Sequence, residues 1–286
     1  MNPDTVVVAA SNKWSLNRRQ KIMLIIGSGL LILTAITIGG ILMDPALYAP
    51  NYEFRSQAPS WEHPFGTDYL GRDMFFRTVA GLSLSIRVGL LAATVSSVIA
   101  LTLGTLSAVF GGKVDTFVNW LVDLCMGIPH MILLILISIA LGGGAVGVIT
   151  GVAVTHWPSL TRVIRAEVMQ VRSAHYVQVA RALGKSPWYV ASSHIIPHVI
   201  PQYVVGLILL FPHAILHEAG ITFLGYGLPL EVPAVGVILS ESMKHLATGM
   251  WWLAFFPGLA LLLVVMLFDL IGDYIKILID PNTAHE

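Results

Sequence analysis

The chain has 286 residues, of which 56% are hydrophobic and only 11% charged, with 16 Lys+Arg set against 16 Asp+Glu and a mean hydropathy of +0.78. Soluble domains average about 45–50% apolar and about 25% charged residues, so this composition belongs in a bilayer rather than in water. Zero net charge excludes the basic footprint of a nucleic-acid binder, and a single cysteine, Cys125, excludes an internal disulfide framework and a cysteine-based metal centre.

A membrane span needs about 20 mostly apolar residues. Segments of this kind fall at 22–43, 84–110, 119–141, 146–168, 199–217 and 251–272, which predicts an all-α polytopic membrane protein of six transmembrane helices. The first run, Ile22–Met43, exceeds a signal-peptide core and no small-residue cleavage site follows it, so it is expected to be a retained span. The chain then divides into a tail (1–21), the first helix (22–43), a loop (44–83), a transmembrane domain (84–272) and a second tail (273–286). Within the domain, residues 170–198 form a basic loop, and 218–250 are expected to be too broken for an ordinary helix, because Gly225-Tyr226-Gly227-Leu228-Pro229 interrupts them. Gly147 and Gly151 make a Gly-x-x-x-Gly pair that suits close helix packing.

Lys and Arg near span ends mark the cytoplasmic side. With six spans both termini share one side, and that side collects 11 of the 16 basic residues, including Arg162, Arg165, Arg172, Arg181 and Lys185. Both termini and the 170–198 loop are therefore expected to be cytoplasmic.

The loop contains "YVQVARALGKSPWYVASSHIIPH" at 176–198. Its Gly-Lys-Ser ends like a phosphate-binding loop, but the earlier glycine that such a loop needs is Val179, and no strand precedes it. The fourth span is expected to continue as a helix through Val171 and beyond, across Ala180, Ala182 and Leu183, until Gly184 stops it. Ser186 and Pro187 then read as the N-cap and first turn of a second helix with Trp188, Val190, Ala191 and Ile195 on its apolar side, ended by Pro197 and Pro201. On physics alone this helix–turn–helix is either a surface connector or a docking element.

The same stretch resembles the coupling loop of bacterial and archaeal ABC-importer permeases, in the form written by the peptide/nickel branch: Tyr-Val-x-Ala-Ala-Arg-Ala-Leu-Gly followed by His-Val-Leu-Pro-Asn. Here Tyr176, Val177, Ala180, Arg181, Gly184, His194 and Pro197 match, while Gln178 replaces an acidic residue, Val179 an alanine and His198 an asparagine. "HPFGTDYLGRDMFFRTVAGLSLSIRVG" (63–89), "EAGITFLGYGLP" (218–229) and "FFPGLALLLVVMLFDLIGDYIKILIDP" (255–281) are similar to the C-type permeases of that branch, so the likeness spans about residues 14–281. The resemblance implies a type I importer fold, an inner-membrane location, and no cofactor in this subunit. It also implies four partners: a second permease, two cytoplasmic ATPases and an extracytoplasmic substrate-binding protein. It assigns Tyr176, Gln178, Ala180, Arg181, Gly184, His194 and Pro197 to the ATPase contact.

The remaining polar residues leave the cargo open. His156 falls in the fourth span, and His213 and His217 lie four apart on one face of the fifth, followed by Glu218. Ionisable groups at membrane depth face a cavity or a partner, and imidazole suits nickel, copper or zinc. Nickel permeases of the branch are similar around His156-Trp157 and His213–Gly220, which implies nickel or a metal chelate as cargo; the same scaffold serves di- and oligopeptides, and interhelical hydrogen bonding is the plain alternative. A tight metal site is not expected, because a conduction path must release what it binds. Gly66-Thr67-Asp68 and Gly71-Arg72-Asp73 are expected to form self-bonded turns bracing the second span. No His-Glu-x-x-His occurs, against a metalloprotease, and no convincing internal repeat supports the rival reading of a stand-alone secondary transporter.

Overall fold

Small residues decide how these apolar helices meet. In the computed structural model, which describes residues 17–279, ten α-helices account for the architecture: α1 (Arg18–Leu42), α2 (Met74–Phe110), α3 (Gly112–Gly127), α4 (His130–Ala140), α5 (Gly144–Arg172), α6 (His175–Ala182), α7 (Pro187–Val190), α8 (Ile196–Phe223), α9 (Val235–Met243) and α10 (Trp252–Ile279). The buried face of α2 is mostly Ala, Ser and Gly from Ala80 to Ala108, and α5 and α8 pack along it. On α5, a Cβ at Gly147 would lie 2.8 Å from the Ser138 carbonyl oxygen and one at Gly151 would lie 3.3 Å from that of Leu134, so the Gly-x-x-x-Gly pair sets the α4–α5 approach. Long aliphatic side chains such as Leu31, Leu42 and Leu263 point outward instead.

Among the described residues, four helical rods are long and apolar enough to cross a membrane: α1, α2, the unbroken run Pro187–Phe223 and α10. α3 and α4 make a fifth if they count as one bent span. α5 is as long as these, but Gly, Thr, His and Pro dilute its apolar content; it packs against α2, α4 and α8 instead. α1 and α10 run antiparallel, with Gly29 beside Ile271, so the beginning of α1 and the end of α10 share one end of the bundle.

Several expected boundaries shift. The 119–141 segment is not straight: it bends by 94° at the Ile128–Pro129 break, where Pro129 removes a backbone donor. The helix expected from the fourth span through Leu183 stops at Arg172, and a short break separates it from α6. Pro197 and Pro201 do not end the second helix of the loop. Pro197 sits in the first turn of α8, where its missing N–H costs little, and Pro201 is absorbed inside the helix. A π-helical turn, Ala191–Ile195, fuses α7 to α8, so Pro187–Phe223 is one rod and the expected 199–217 span lengthens at both ends. The second span starts at Met74 rather than 84, capped by the Asp73 carboxylate on the N–H groups of Phe75 and Phe76. The 218–250 segment is helical through Phe223 and again in α9. α1 takes in residues 18–21 of the expected first tail and α10 takes in 273–279 of the second; the rest of both tails, Lys13 included, lies outside the described residues apart from Asn17.

Replacing Gly147 with Val drives a β-branched side chain into the α4 backbone and is expected to cost about 1–3 kcal/mol, read as a lower melting temperature of the detergent-solubilised chain. Gly27→Ala on α1, where a Cβ meets nothing within 4 Å, is expected to leave it unchanged or raise it.

Candidate functional site

Three polar features stand out from the apolar bundle. The first is the helix–turn–helix at 175–195. Leu183 closes α6 and Gly184 follows with φ +75°, a left-handed conformation that suits glycine. The Ser186 hydroxyl accepts from the Tyr189 N–H at 3.2 Å and Pro187 occupies the first turn of α7, as the sequence predicts. Val177, Ala180, Val190, Ala191 and Ile195 are buried and hold the pair together. Trp188 departs from expectation: it is exposed and meets Phe110 of α2 edge to face. His194 lies between the rings of Tyr176 and Tyr189, at centroid distances of 6.1 and 5.9 Å. Gln178 donates to the Ser173 carbonyl at 2.9 Å, a bond an ionised carboxylate at this position could not make. The outer surface of the pair presents Tyr176, Val179, Leu183, Trp188 and Tyr189. Arg181 is partly covered, and Pro197 is exposed at the start of α8.

The second feature is a cavity of about 730 Å³ at the α3–α4 break, walled by α5 and α8. Cys125, Pro129, His130, His156, His213 and His217 all line it. Of the predicted residues, the structure brings His156 and His217 together and adds His130, which sequence reasoning passed over; its signal was a histidine directly after a proline break inside an apolar segment. His213 lines the same cavity but is exposed, with Nδ1 3.0 Å from the Leu209 carbonyl oxygen. Glu218 is not brought to the cavity. It is fully buried, accepts from the Thr222 hydroxyl at 3.0 Å, and that hydroxyl accepts from the Leu228 N–H, so this chain of bonds ties the end of α8 to the turn beyond it.

The third feature is a buried ion network at the opposite end from the helix–turn–helix. Asp68 accepts from the N–H groups of Leu70 and Arg72, which is the self-bonded turn the sequence predicts. What the sequence did not indicate is Glu241 of α9, which accepts from Arg72 at 2.9 Å and from Arg77 at 2.6 Å while both arginines also reach Asp68. Burial pulls the Arg72 pKa down, but the adjacent Asp68 and Glu241 carboxylates outweigh it and hold the guanidinium above its ordinary value. Trp252 donates its indole N–H to the Thr67 carbonyl at 3.2 Å, so the loop is fastened to α10 as well.

Long apolar helices bundled around a cavity, with an exposed amphipathic helix pair at one end, are the architecture of a polytopic membrane protein. A family model for the inner membrane component of binding-protein-dependent transport systems matches residues 100–284. The chain is 33% identical over 258 residues to the dipeptide transport system permease protein DppC of Alkalihalophilus pseudofirmus, covering 89% of this chain and 84% of that one. It is 31% identical to the probable D,D-dipeptide transport system permease protein DdpC of Escherichia coli, covering 99% and 98%. It is also 29% identical to the oligopeptide transport system permease protein OppC of Bacillus subtilis, covering 95% and 92%. Among solved structures, a chain of the MetNI methionine ABC transporter in an inward-facing form superposes with a TM-score of 0.60 at 19% identity, over 72% of this chain and 98% of that one, a likeness of fold. The chain belongs to the family of binding-protein-dependent transport system inner membrane components. It is a multi-pass permease subunit of an ABC importer, a transport component rather than an enzyme.

Arg77→Met leaves Asp68 and Glu241 short of a partner in a buried network and is expected to destabilise the fold by about 3–5 kcal/mol. The check is thermal unfolding of the solubilised chain, with Lys244→Met, at an exposed position, as the unaffected comparison.

Proposed function

We propose that the chain pairs with a second, similar permease to form the pathway of a peptide-type importer, driven by two separate cytoplasmic ATPases and loaded by an extracytoplasmic substrate-binding protein. The observation that carries the peptide reading is near-full-length similarity to permeases whose names give di- and oligopeptides as cargo. In this reading α1, α2, the bent α3–α4 pair, α5, α8 and α10 are the six spans. Both termini and α6–α7 are cytoplasmic, in keeping with the basic residues gathered there.

The coupling element is α6–α7, gripped through its exposed Tyr176 face, with Gln178, Ala180, Arg181, Gly184, His194 and Pro197 setting its shape. Because α7 runs through the π-turn into α8 without a break, a displacement of the pair is passed along a rigid rod to the cavity wall rather than lost in a loop. ATPase closure then tilts α8, and the cavity changes the side to which it opens.

A second reading, nickel or a metal chelate as cargo, is favoured by one observation: three histidines converge on the cavity. The two cargoes separate in uptake assays on a strain lacking this subunit, complemented with the wild-type chain. Restored dipeptide uptake with unaltered nickel accumulation supports the peptide reading, and the converse supports the metal. Full transport by the chain without a co-purifying ATPase rejects both in favour of a stand-alone transporter.

Gly184→Val places a β-branched residue at positive φ, at a cost of about 1–2 kcal/mol, and distorts the turn that holds α6 against α7. It is expected to leave membrane insertion intact while transport and substrate-stimulated ATP hydrolysis both fall by an order of magnitude or more. Unchanged stimulation would reject the coupling assignment.

A further inference from the structure

The cavity wall carries a donor set that peptide passage does not require. The rings of His130 on α4, His156 on α5 and His217 on α8 form a triangle with centroid separations of 4.5, 4.6 and 5.0 Å. One potential ligand atom from each lies within 4.8 Å of the other two. If these rings were an interhelical hydrogen-bond network, their inner nitrogens would be paired. They are not: Nε2 of His130 and Nε2 of His156 are both buried and have no hydrogen-bond partner, an arrangement native proteins avoid unless something else satisfies the atom.

The protonation of His156 follows from its surroundings. Its Nδ1 lies 2.9 Å from the Val152 carbonyl oxygen, which can only accept, so Nδ1 carries the hydrogen and Nε2 presents a lone pair. Metal-binding histidines are oriented in this way, with the far ring nitrogen donating to a backbone carbonyl. On His217, Nδ1 lies 3.0 Å from the Met131 sulfur, and Cys125 lines the same cavity. Among the described residues no carboxylate lines it, since Glu218 is turned to Thr222. Imidazole nitrogens with nearby sulfur and no oxygen anions suit nickel, cobalt, copper or zinc and disfavour magnesium or calcium.

We propose that His130, His156 and His217 coordinate a divalent first-row transition-metal ion on the wall of the cavity, with its open positions filled by water or by a chelator that travels with it. Three protein ligands leave at least one coordination position open, where water or a chelator that accompanies the ion can bind. Nitrogens around a tetrahedral ion at about 2.0–2.1 Å stand roughly 3.3 Å apart, so the triad closes on the ion by a modest rotation of each ring. The cavity, at about 730 Å³, is far larger than a hydrated ion and admits a chelate of small-ligand size. Binding rests on this geometry alone; its place in transit rests on the permease reading and deepens the metal alternative.

The test uses the full chain, purified in detergent without a polyhistidine tag, titrated with Co2+ and followed by its visible absorption. One equivalent is expected to bind and to be displaced by Ni2+. His130→Ala and His217→Ala are each expected to weaken binding at least tenfold, while His198→Ala, at an exposed position outside the cavity, leaves it unchanged. Because His156 is buried, His156→Gln is compared only after its thermal unfolding matches wild type, and His130→Ala, at a half-buried position, serves where it does not. Absence of Co2+ and Ni2+ binding by the wild-type chain overturns the site, as does wild-type affinity in both His130→Ala and His217→Ala. In cells, unaltered nickel accumulation by a His130→Ala strain overturns the transit role while leaving the site standing. Loss of peptide uptake in that same strain overturns the separation of metal from peptide cargo, a failure read independently of the titration.

Discussion

Close approach of helix backbones is the constraint on which the rest of this structure depends. In a bilayer, burying leucine against leucine gains little over burying it against lipid, so helices associate through van der Waals contact at small residues and through polar bonds. The chain is built accordingly. Many of its long aliphatic side chains face outward, and the face of α2 against which α5 and α8 pack is lined mostly with Ala, Ser and Gly. α5 shows this most clearly: it is too dilute in apolar residues to be counted with the membrane-crossing rods, and it packs against α2, α4 and α8.

Tight packing leaves room only where a helix is interrupted. The α3–α4 break turns the chain by 94°, and the cavity opens beside it because neither half of the bent pair can fill the space against α5 and α8. Pro158 on α5 and Pro212 on α8 sit close to the same level and relieve further backbone bonds. Histidines line this level, where the cavity gives polar side chains space. The buried ion network at the other end does the opposite: Asp68, Arg72, Arg77 and Glu241 close that region and lock the loop before α2 to α9.

Much of this was legible in the sequence, for physical reasons that can be stated residue by residue. Gly184, Ser186 and Pro187 specify local backbone geometry, and the helix–turn–helix follows from them whatever surrounds it. Gly147 and Gly151 announce a close approach, though not that α4 is the partner. The misjudged features depend on tertiary context. Pro197 and Pro201 read as helix ends because proline lacks a donor; one instead falls in the first turn, where no donor is needed, and the other is absorbed inside α8. Glu241 could not be joined to Arg77 by any spacing rule, since they meet across 164 residues. Glu218 was grouped with the histidines by adjacency, but consecutive residues on a helix point about 100° apart, and it turned to Thr222 instead.

That angular separation explains how one helix serves two purposes. On α8, His217 faces the cavity, while Glu218, the next residue, faces the packed interior and fastens the turn that follows. Toward its other end the same rod merges through the π-turn with α7, whose aromatic side chains are exposed. A π-turn widens the helix by one residue per turn and lets it change face without a break. It thereby allows Val190, Ala191 and Ile195 to be buried against α5 and α6 while α8 presents His213 and His217 to the cavity. A straight α-helix of the same length would rotate one of these two surfaces out of place, so the π-turn keeps the buried face at Val190–Ile195 and the cavity wall of a single helical element in register.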